Sequence, residues 1–336
     1  MRILTCLKPG EFAYSNGHVP EIKKGYALIK VQRIGICGTD LHAFEGTQPF
    51  FNYPRVLGHE LAGEIVEIET HADYRIGDQV SIIPYFSCGT CFACTQGKTN
   101  CCSTLNVFGV HSDGGMAEFI LIPIQALFKS ASLDLDALAL LEPLSIGAHG
   151  IKRSQIKPHE FVLIVGAGPI GLMAAKVVRH VGARFVVISD INESRLELAR
   201  SMGVDIAVNP MTSSIAATQK TLGMKEGFDV ALEMSGAPSA LPDILDNLSH
   251  GGRIAVLGLP SKEISINWAK LVTHMITIKG IYGREMYETW YAMNSLIQTG
   301  LDIRDVITDR FPANDWDKAF AAARSSNSGK VIMDWS

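Results

Sequence analysis

The feature that most restricts how this chain can fold is a glycine turn set between an apolar run and a helical pattern. Gly166-Ala167-Gly168-Pro169-Ile170-Gly171 follows the apolar run Phe161–Val165, and residues 170–181 then show helical periodicity. In a G-x-G-x-x-G turn the first glycine permits the tight reversal and the second lets backbone approach a pyrophosphate. The third lets helix pack on strand, and the helix N-terminal amides meet the anion. Asp190 ends the next apolar run, Phe185–Ser189, about 20 residues beyond the turn, where a carboxylate hydrogen-bonds ribose hydroxyls and repels a 2′-phosphate. That pattern selects NAD over NADP. The competing role for Asp190 is that of a helix N-cap.

The same grammar continues downstream. A helical pattern covers 193–202, and further strand candidates are Phe228–Glu233, 253–257 and 276–281. Strands alternating with helices imply parallel pairing, so an α/β, doubly wound sheet is expected here. Residues 1–147 read differently, as short alternating stretches broken by Gly and Pro, for example 27–31, 63–68 and 79–83. That suggests a strand-rich domain with long loops. The expected division is 1–147 with 286–336 against 148–285, the last strand (331–333) rejoining the first domain. No internal repeat or low-complexity segment interrupts it.

Cys88, Cys91, Cys94 and Cys102 form C-x2-C-x2-C-x7-C, in a loop holding Gly89 and Gly97. Two-residue gaps let successive thiolates turn back onto one ion, and a fourth completes a tetrahedron. Zinc is the default for four sulfurs. An iron–sulfur cluster would favour a closing Cys-Pro pair, whereas Cys102 precedes Ser103. Full sulfur coordination makes the expected site structural. Cys101 is adjacent, so the fourth ligand is open to a one-residue change of register. The seven cysteines, mostly in one segment, do not make a disulfide framework, and thiolate ligation fits a reducing, cytoplasmic compartment.

A second polar constellation lies upstream and downstream of that loop. Cys37-Gly38-Thr39-Asp40-Leu41-His42 and Gly58-His59-Glu60 are each weak signals, since a lone Cys or His is commonly a packed core residue. Glu142 is a carboxylate inside the apolar segment Leu141-Glu142-Pro143-Leu144; it is either a surface acid at a helix end or a third metal ligand. A catalytic zinc keeps three protein ligands and one open position.

Composition excludes several classes. Of the 336 residues 47% are hydrophobic and 19% charged, with a net charge of -4. That balance offers no basic face for nucleic acid. Residues 1–10 lack an apolar signal region. The uncharged stretch 161–175 contains Gly166, Gly168, Pro169 and Gly171 and falls short of the ~20 apolar residues a membrane span needs.

Together these residues resemble the zinc-containing medium-chain alcohol dehydrogenases over essentially the whole chain, which implies a GroES-like catalytic domain and a Rossmann domain. Ile36-Cys37-Gly38-Thr39-Asp40, Tyr53-Pro54-Arg55-Val56-Leu57-Gly58-His59-Glu60, Gly109-Val110-His111 and Asp113-Gly114-Gly115 resemble the sugar-acid branch, notably the L-galactonate 5-dehydrogenases. Gly227-Phe228-Asp229-Val230, Met234-Ser235-Gly236-Ala237-Pro238, His250-Gly251-Gly252-Arg253-Ile254-Ala255 and 278–286 are similar to the L-threonine 3-dehydrogenases. The resemblance implies that Cys37, His59 and Glu142 hold the catalytic zinc, with Glu60 exchanging onto it or standing behind it. Thr39 and His42 would pass the alcohol proton to solvent. Ile170, Asp190 and Arg195 would hold the adenosine half of NAD, with Pro169 in the glycine turn that binds the cofactor; Leu257, Gly258, Leu259, Ile281 and Tyr282 would flank the nicotinamide. It further implies a homodimer or homotetramer.

Threonine dehydrogenases carry a substrate-recognising histidine three residues before the first structural cysteine, and Tyr85 stands there in this chain. Tyrosine cannot carry a positive charge at neutral pH. The expected activity is therefore hydride transfer to NAD from a secondary alcohol of a small polar substrate, a sugar acid such as L-galactonate or L-gulonate, or a polyol. Oxidation of L-threonine to 2-amino-3-oxobutanoate is the alternative. A zinc-stabilised, NAD-binding redox sensor is the non-enzymatic one.

Overall fold

Residues Val162 to Ile164 are fully buried, as a strand covered on both faces by helices must be. They form the middle of Phe161–Val165, the first strand of a six-stranded sheet in the computed structural model, which describes residues 1–48, 51–325 and 327–336. Its other strands are Phe185–Ser189, Ile206–Val208, Phe228–Glu233, Leu248–Val256 and Thr277–Gly280. Every neighbouring pair is parallel. Counted in chain order the strands lie 3-2-1-4-5-6, the doubly wound Rossmann arrangement, whose order reverses beside the first strand. The expected strands are present, and Ile206–Val208, too short to show a pattern of its own, is added. The stretch 161–175 resolves into strand, glycine turn and the helix Pro169–His180, whose proline stands in the first turn, where a missing N–H costs nothing. No helix among the described residues is long and apolar enough to cross a membrane.

The chain divides into two units: 1–143 with 285–294 and 307–336, and 144–284 with 295–306. This differs from the expected division mainly at 295–306, which joins the nucleotide-type unit. Lys176 pairs with Asp305, and His180 hydrogen-bonds Thr299 at 3.1 Å, tying that segment to the helix Pro169–His180.

The first unit is built around Tyr26–Gly35, which pairs antiparallel with Glu60–Ile68, with Phe119–Pro123 and with the C-terminal strand Lys330–Asp334. The last strand thus returns to the first unit, as expected, and brings Ile307–Pro312 beside it in parallel. Smaller sheets pair Arg2–Lys8 with Glu11–Asn16 and with Arg55–Val56, and Tyr85–Phe86 with Asn106–Val107.

Phe228 is wholly buried in the apolar cluster of the second unit, with Leu163, Ile254 and Leu245. Phe228→Ala leaves a cavity there and is expected to destabilise this unit by about 3–5 kcal/mol. Chemical denaturation followed by circular dichroism measures it; an unchanged midpoint would contradict the packing.

Candidate active site and metal centres

Strand Tyr26–Gly35 runs out at its C-terminal end into Ile36 and Cys37, and Cys37 is the N-cap of the helix Gly38–Glu45. Asp40 in that helix's first turn is 1% exposed. Its carboxylate accepts from the Cys37 N–H at 2.9 Å and from the Gly58 N–H at 3.3 Å. One buried acid therefore pins together two loops that are remote in sequence. His59 and Glu60 follow Gly58 directly, and Glu60 opens the strand Glu60–Ile68 opposite Gly35.

The donor atoms of Cys37, His59 and Glu60 all lie within 4.8 Å of one another. His59 and Glu60 are buried, while Cys37 is partly open. His59 presents Nδ1 to Asp40 at 3.6 Å, beyond hydrogen-bond reach, and this buried nitrogen has no hydrogen-bond partner among the described residues. A buried imidazole beside a thiol and carboxylates is the donor set that a zinc ion suits. Burial opposes a charge on His59, but the negative charges of Asp40, Cys37 and Glu142 outweigh it and raise its pKa well above the ordinary histidine value. Burial also raises the Glu60 carboxyl, Lys330 opposing and Glu142 reinforcing that rise.

Glu142 is not a surface acid. It lies inside the helix Leu135–Ser154 and is 4% exposed. Arg33, on the central strand, holds Asp136 in that helix's first turn at 2.9 Å, and Arg310 holds the same carboxylate at 2.8 Å. Pro143 has no N–H to offer the carbonyl one turn back, and it is the last residue of the helix counted with the first unit. Thr39 and His42 stand three residues apart on the helix Gly38–Glu45, hence on one face. Thr39 is half-buried and His42 exposed, its Nδ1 3.0 Å from the Thr47 hydroxyl.

A second group, Cys88, Cys91, Cys94 and Cys102, also has all its sulfurs within 4.8 Å of one another, and the neighbouring Cys101 is exposed outside it. Backbone N–H groups of Thr90 and Cys91 donate to the Cys88 sulfur at 3.5 and 3.3 Å, and that of Cys88 to Cys102 at 3.3 Å. Such donors favour thiolates. Hydrogen bonding from Thr90 lowers the Cys88 pKa to about 5, and from Cys94 the Cys91 pKa to about 7, whereas burial pushes Cys94 up to about 11.

In the second unit the predicted nucleotide residues gather at the carboxyl ends of the parallel strands, where such sheets take their ligands. A Cβ on Gly171 would sit 2.0 Å from the Gly166 carbonyl oxygen, while one on Gly168 would meet nothing within 4 Å. The third glycine thus serves packing, and the second leaves open space. Asp190 accepts from the Ala167 N–H at 2.7 Å and from the Asn192 N–H at 2.9 Å. It is not the N-cap of the next helix, since Asn192 caps Glu193–Ser201 by accepting from the Arg195 N–H. Leu257, Gly258 and Leu259 follow Leu248–Val256, and Ile281 and Tyr282 follow Thr277–Gly280. Leu259 and Tyr282 are exposed, whereas Ile170 and Arg195 are half-buried.

Two contributors carried no recognised signal in the sequence. Asp40 was visible only as part of a motif, and Lys330, whose ammonium meets Glu60 at 2.6 Å in the core, is separated from it by 270 residues. Tyr85 lines an open cavity of about 590 Å³ with Phe86, Asp113, Met286 and Tyr287.

Residues 23–132 match the alcohol dehydrogenase GroES-like domain and residues 169–299 the zinc-binding dehydrogenase family. The chain is 49% identical to an L-threonine 3-dehydrogenase of Streptomyces avermitilis, covering 94% of each. It is 45% identical to that of Shewanella frigidimarina, covering 100% of each. Among solved structures it is similar, at a TM-score of 0.92 and 27% identity, to an Escherichia coli alcohol dehydrogenase complexed with cofactor NADH, covering 100% of this chain and 99% of that one. The likeness to threonine dehydrogenases therefore runs through both halves, not through the nucleotide half alone, and the expected order of substrates is reversed.

Asp190→Ala is expected to weaken NAD binding by about 1.5–3 kcal/mol and to narrow the preference over NADP, as read by calorimetric titration of both nucleotides; unchanged selectivity would refute the assignment. Cys102→Ser should release one bound metal equivalent and Cys101→Ser none, which elemental analysis of the purified variants decides.

Proposed function

We propose that this chain, which belongs to the zinc-binding medium-chain alcohol dehydrogenase family, is an NAD-dependent L-threonine 3-dehydrogenase that oxidises the secondary hydroxyl of L-threonine to give 2-amino-3-oxobutanoate. The observation that carries this reading is the near-half identity, end to end, with relatives of that name. It acts on a CH–OH donor in a reducing, cytoplasmic compartment, working as a homodimer or homotetramer, and the redox-sensor alternative has no use for Thr39 and His42.

Cys37, His59 and Glu142 hold the catalytic zinc, with Glu60 behind it, and Cys88, Cys91, Cys94 and Cys102 hold a structural one. Bound there, zinc supplies the Lewis acidity that lowers an alcohol's pKa, and bound NAD supplies the hydride acceptor. Asp40 fixes the backbone at Cys37 and at Gly58, the residue before His59, and its charge orients the imidazole. Thr39 accepts the substrate hydroxyl proton as it gives up its own, and His42, on the same helix face and open to solvent, receives that proton and releases it. In the second unit the turn Gly166–Gly171 cradles the pyrophosphate, and Asp190 binds the ribose hydroxyls. Ile170 and Arg195 flank the adenosine half; Leu257, Gly258, Leu259, Ile281 and Tyr282 flank the nicotinamide.

Tyr85 keeps a second reading alive. It cannot supply the charge of the histidine that threonine dehydrogenases place there, and a tyrosine hydroxyl suits the hydroxyls of a sugar acid or polyol. NADH absorbance with L-threonine, L-galactonate, L-gulonate and polyols, each at fixed NAD, separates the two. The expected result is turnover of L-threonine well above the rest, and a preference for a sugar acid overturns it. Cys37→Ser is expected to abolish turnover without unfolding the chain and to leave only the four-cysteine metal; full activity at that metal content removes the catalytic-zinc assignment.

A further inference from the structure

We infer that Lys330 is a positioning residue that holds the Glu60 carboxylate away from the catalytic metal position, keeping open the site an alcohol must occupy. This rests on the zinc reading above.

Glu60 has its donor atom within 4.8 Å of those of Cys37 and His59, so nothing in its distance alone keeps it from becoming a ligand. Its two oxygens are already engaged: the Lys330 ammonium donates to Oε1 at 2.7 Å and to Oε2 at 2.6 Å. The third donor of that ammonium goes to the Ile36 carbonyl at 3.0 Å, one residue before Cys37. Both residues of the pair are sealed from water, Lys330 at 3% and Glu60 at 1% exposure. The strand that carries the lysine is held in place at the next residue, since the Ile36 N–H donates to the Val331 carbonyl at 3.0 Å.

The strand opposite has made room for this arrangement. Gly35 is the cross-strand partner of Glu60, and a Cβ at Gly35 would fall 2.1 Å from Glu60 Oε2. Any side chain there would push the carboxylate out of its seat beside the lysine. Glu60 is therefore retained by a cation on one side and by a missing side chain on the other.

A buried ion pair that loses one partner leaves an uncompensated charge, which must find another counter-ion. Without Lys330, the cation within reach of Glu60 is the metal itself. Glu60 would then bind it and occupy the open position.

The test uses the full-length enzyme with cobalt(II) in the catalytic site, whose visible absorption reports the identity of the bound ligands independently of turnover. Lys330→Met is expected to shift the tetrahedral cobalt bands, as a carboxylate replaces the oxygen in the open position, and to lower kcat by about 10–100-fold. Lys330→Arg, which keeps the cation, should restore the bands. Gly35→Ala, with the lysine intact, should shift them in the same direction as Lys330→Met. Adding Glu60→Gln to Lys330→Met should bring the bands back, which a merely structural defect would not do. Glu60→Gln alone should leave the cobalt spectrum as in the wild type, and this single variant decides the matter if Lys330→Met does not fold. A changed spectrum for Glu60→Gln, or an unchanged one for folded Lys330→Met, overturns the inference. Failure of the wild type to take up cobalt beyond the four-cysteine centre instead overturns the zinc reading itself, and so is distinguishable.

Discussion

The first unit is organised around ionisable groups that it buries. Asp40, His59, Glu60, Glu142 and Lys330 are all nearly inaccessible to water, and Cys37 stands among them. Carboxylates and a thiol outnumber the one lysine, and His59 is drawn toward its cationic form by that imbalance. An interior of this kind is tolerable only if positive charge is supplied, because unpaired buried ions are among the costliest features a fold can carry. Lys330 supplies part of it, and under the proposed zinc reading a divalent metal beside Cys37 and His59 would supply the rest.

The architecture reads as a means of delivering those charges. Tyr26–Gly35 pairs with three strands; one carries Glu60 and another carries Lys330, while its own end leads to Cys37. Arg33 on the same strand grips Asp136 and so sets the helix on which Glu142 rides. The second unit uses a different economy. Its ligand-facing edge consists largely of backbone: glycines without Cβ atoms, helix amides and strand ends, with Asp190 as the main charged group. A nucleotide needs close approach and a few directed hydrogen bonds, which backbone provides without burying ions.

Substrate choice shows where residue-level reading has its boundary. Tyr85 in place of a histidine points toward hydroxyl-rich substrates, yet identity with threonine dehydrogenases extends across both units. Selectivity is a difference between two sets of contacts, and a single altered position shifts that difference without determining its sign. The cavity beside Tyr85 also takes lining from Met286 and Tyr287, about 200 residues away in the chain, so its shape is a property of the folded unit.

What the sequence determined by itself was everything that depends on close spacing. The glycine turn, the four-cysteine loop, the strand–helix alternation and the neighbouring pairs Thr39/His42 and His59/Glu60 are legible because residues near in the chain are forced to be near in space. Only the tertiary structure decided that Cys102 and not Cys101 joins the thiols, that Glu142 is interior, that Asp190 is not a cap, and that Lys330 meets Glu60. The last of these follows from strand order and register, which bring together groups 270 residues apart, and no local pattern encodes which strand will lie beside which; the others depend on how the folded chain turns and buries each group.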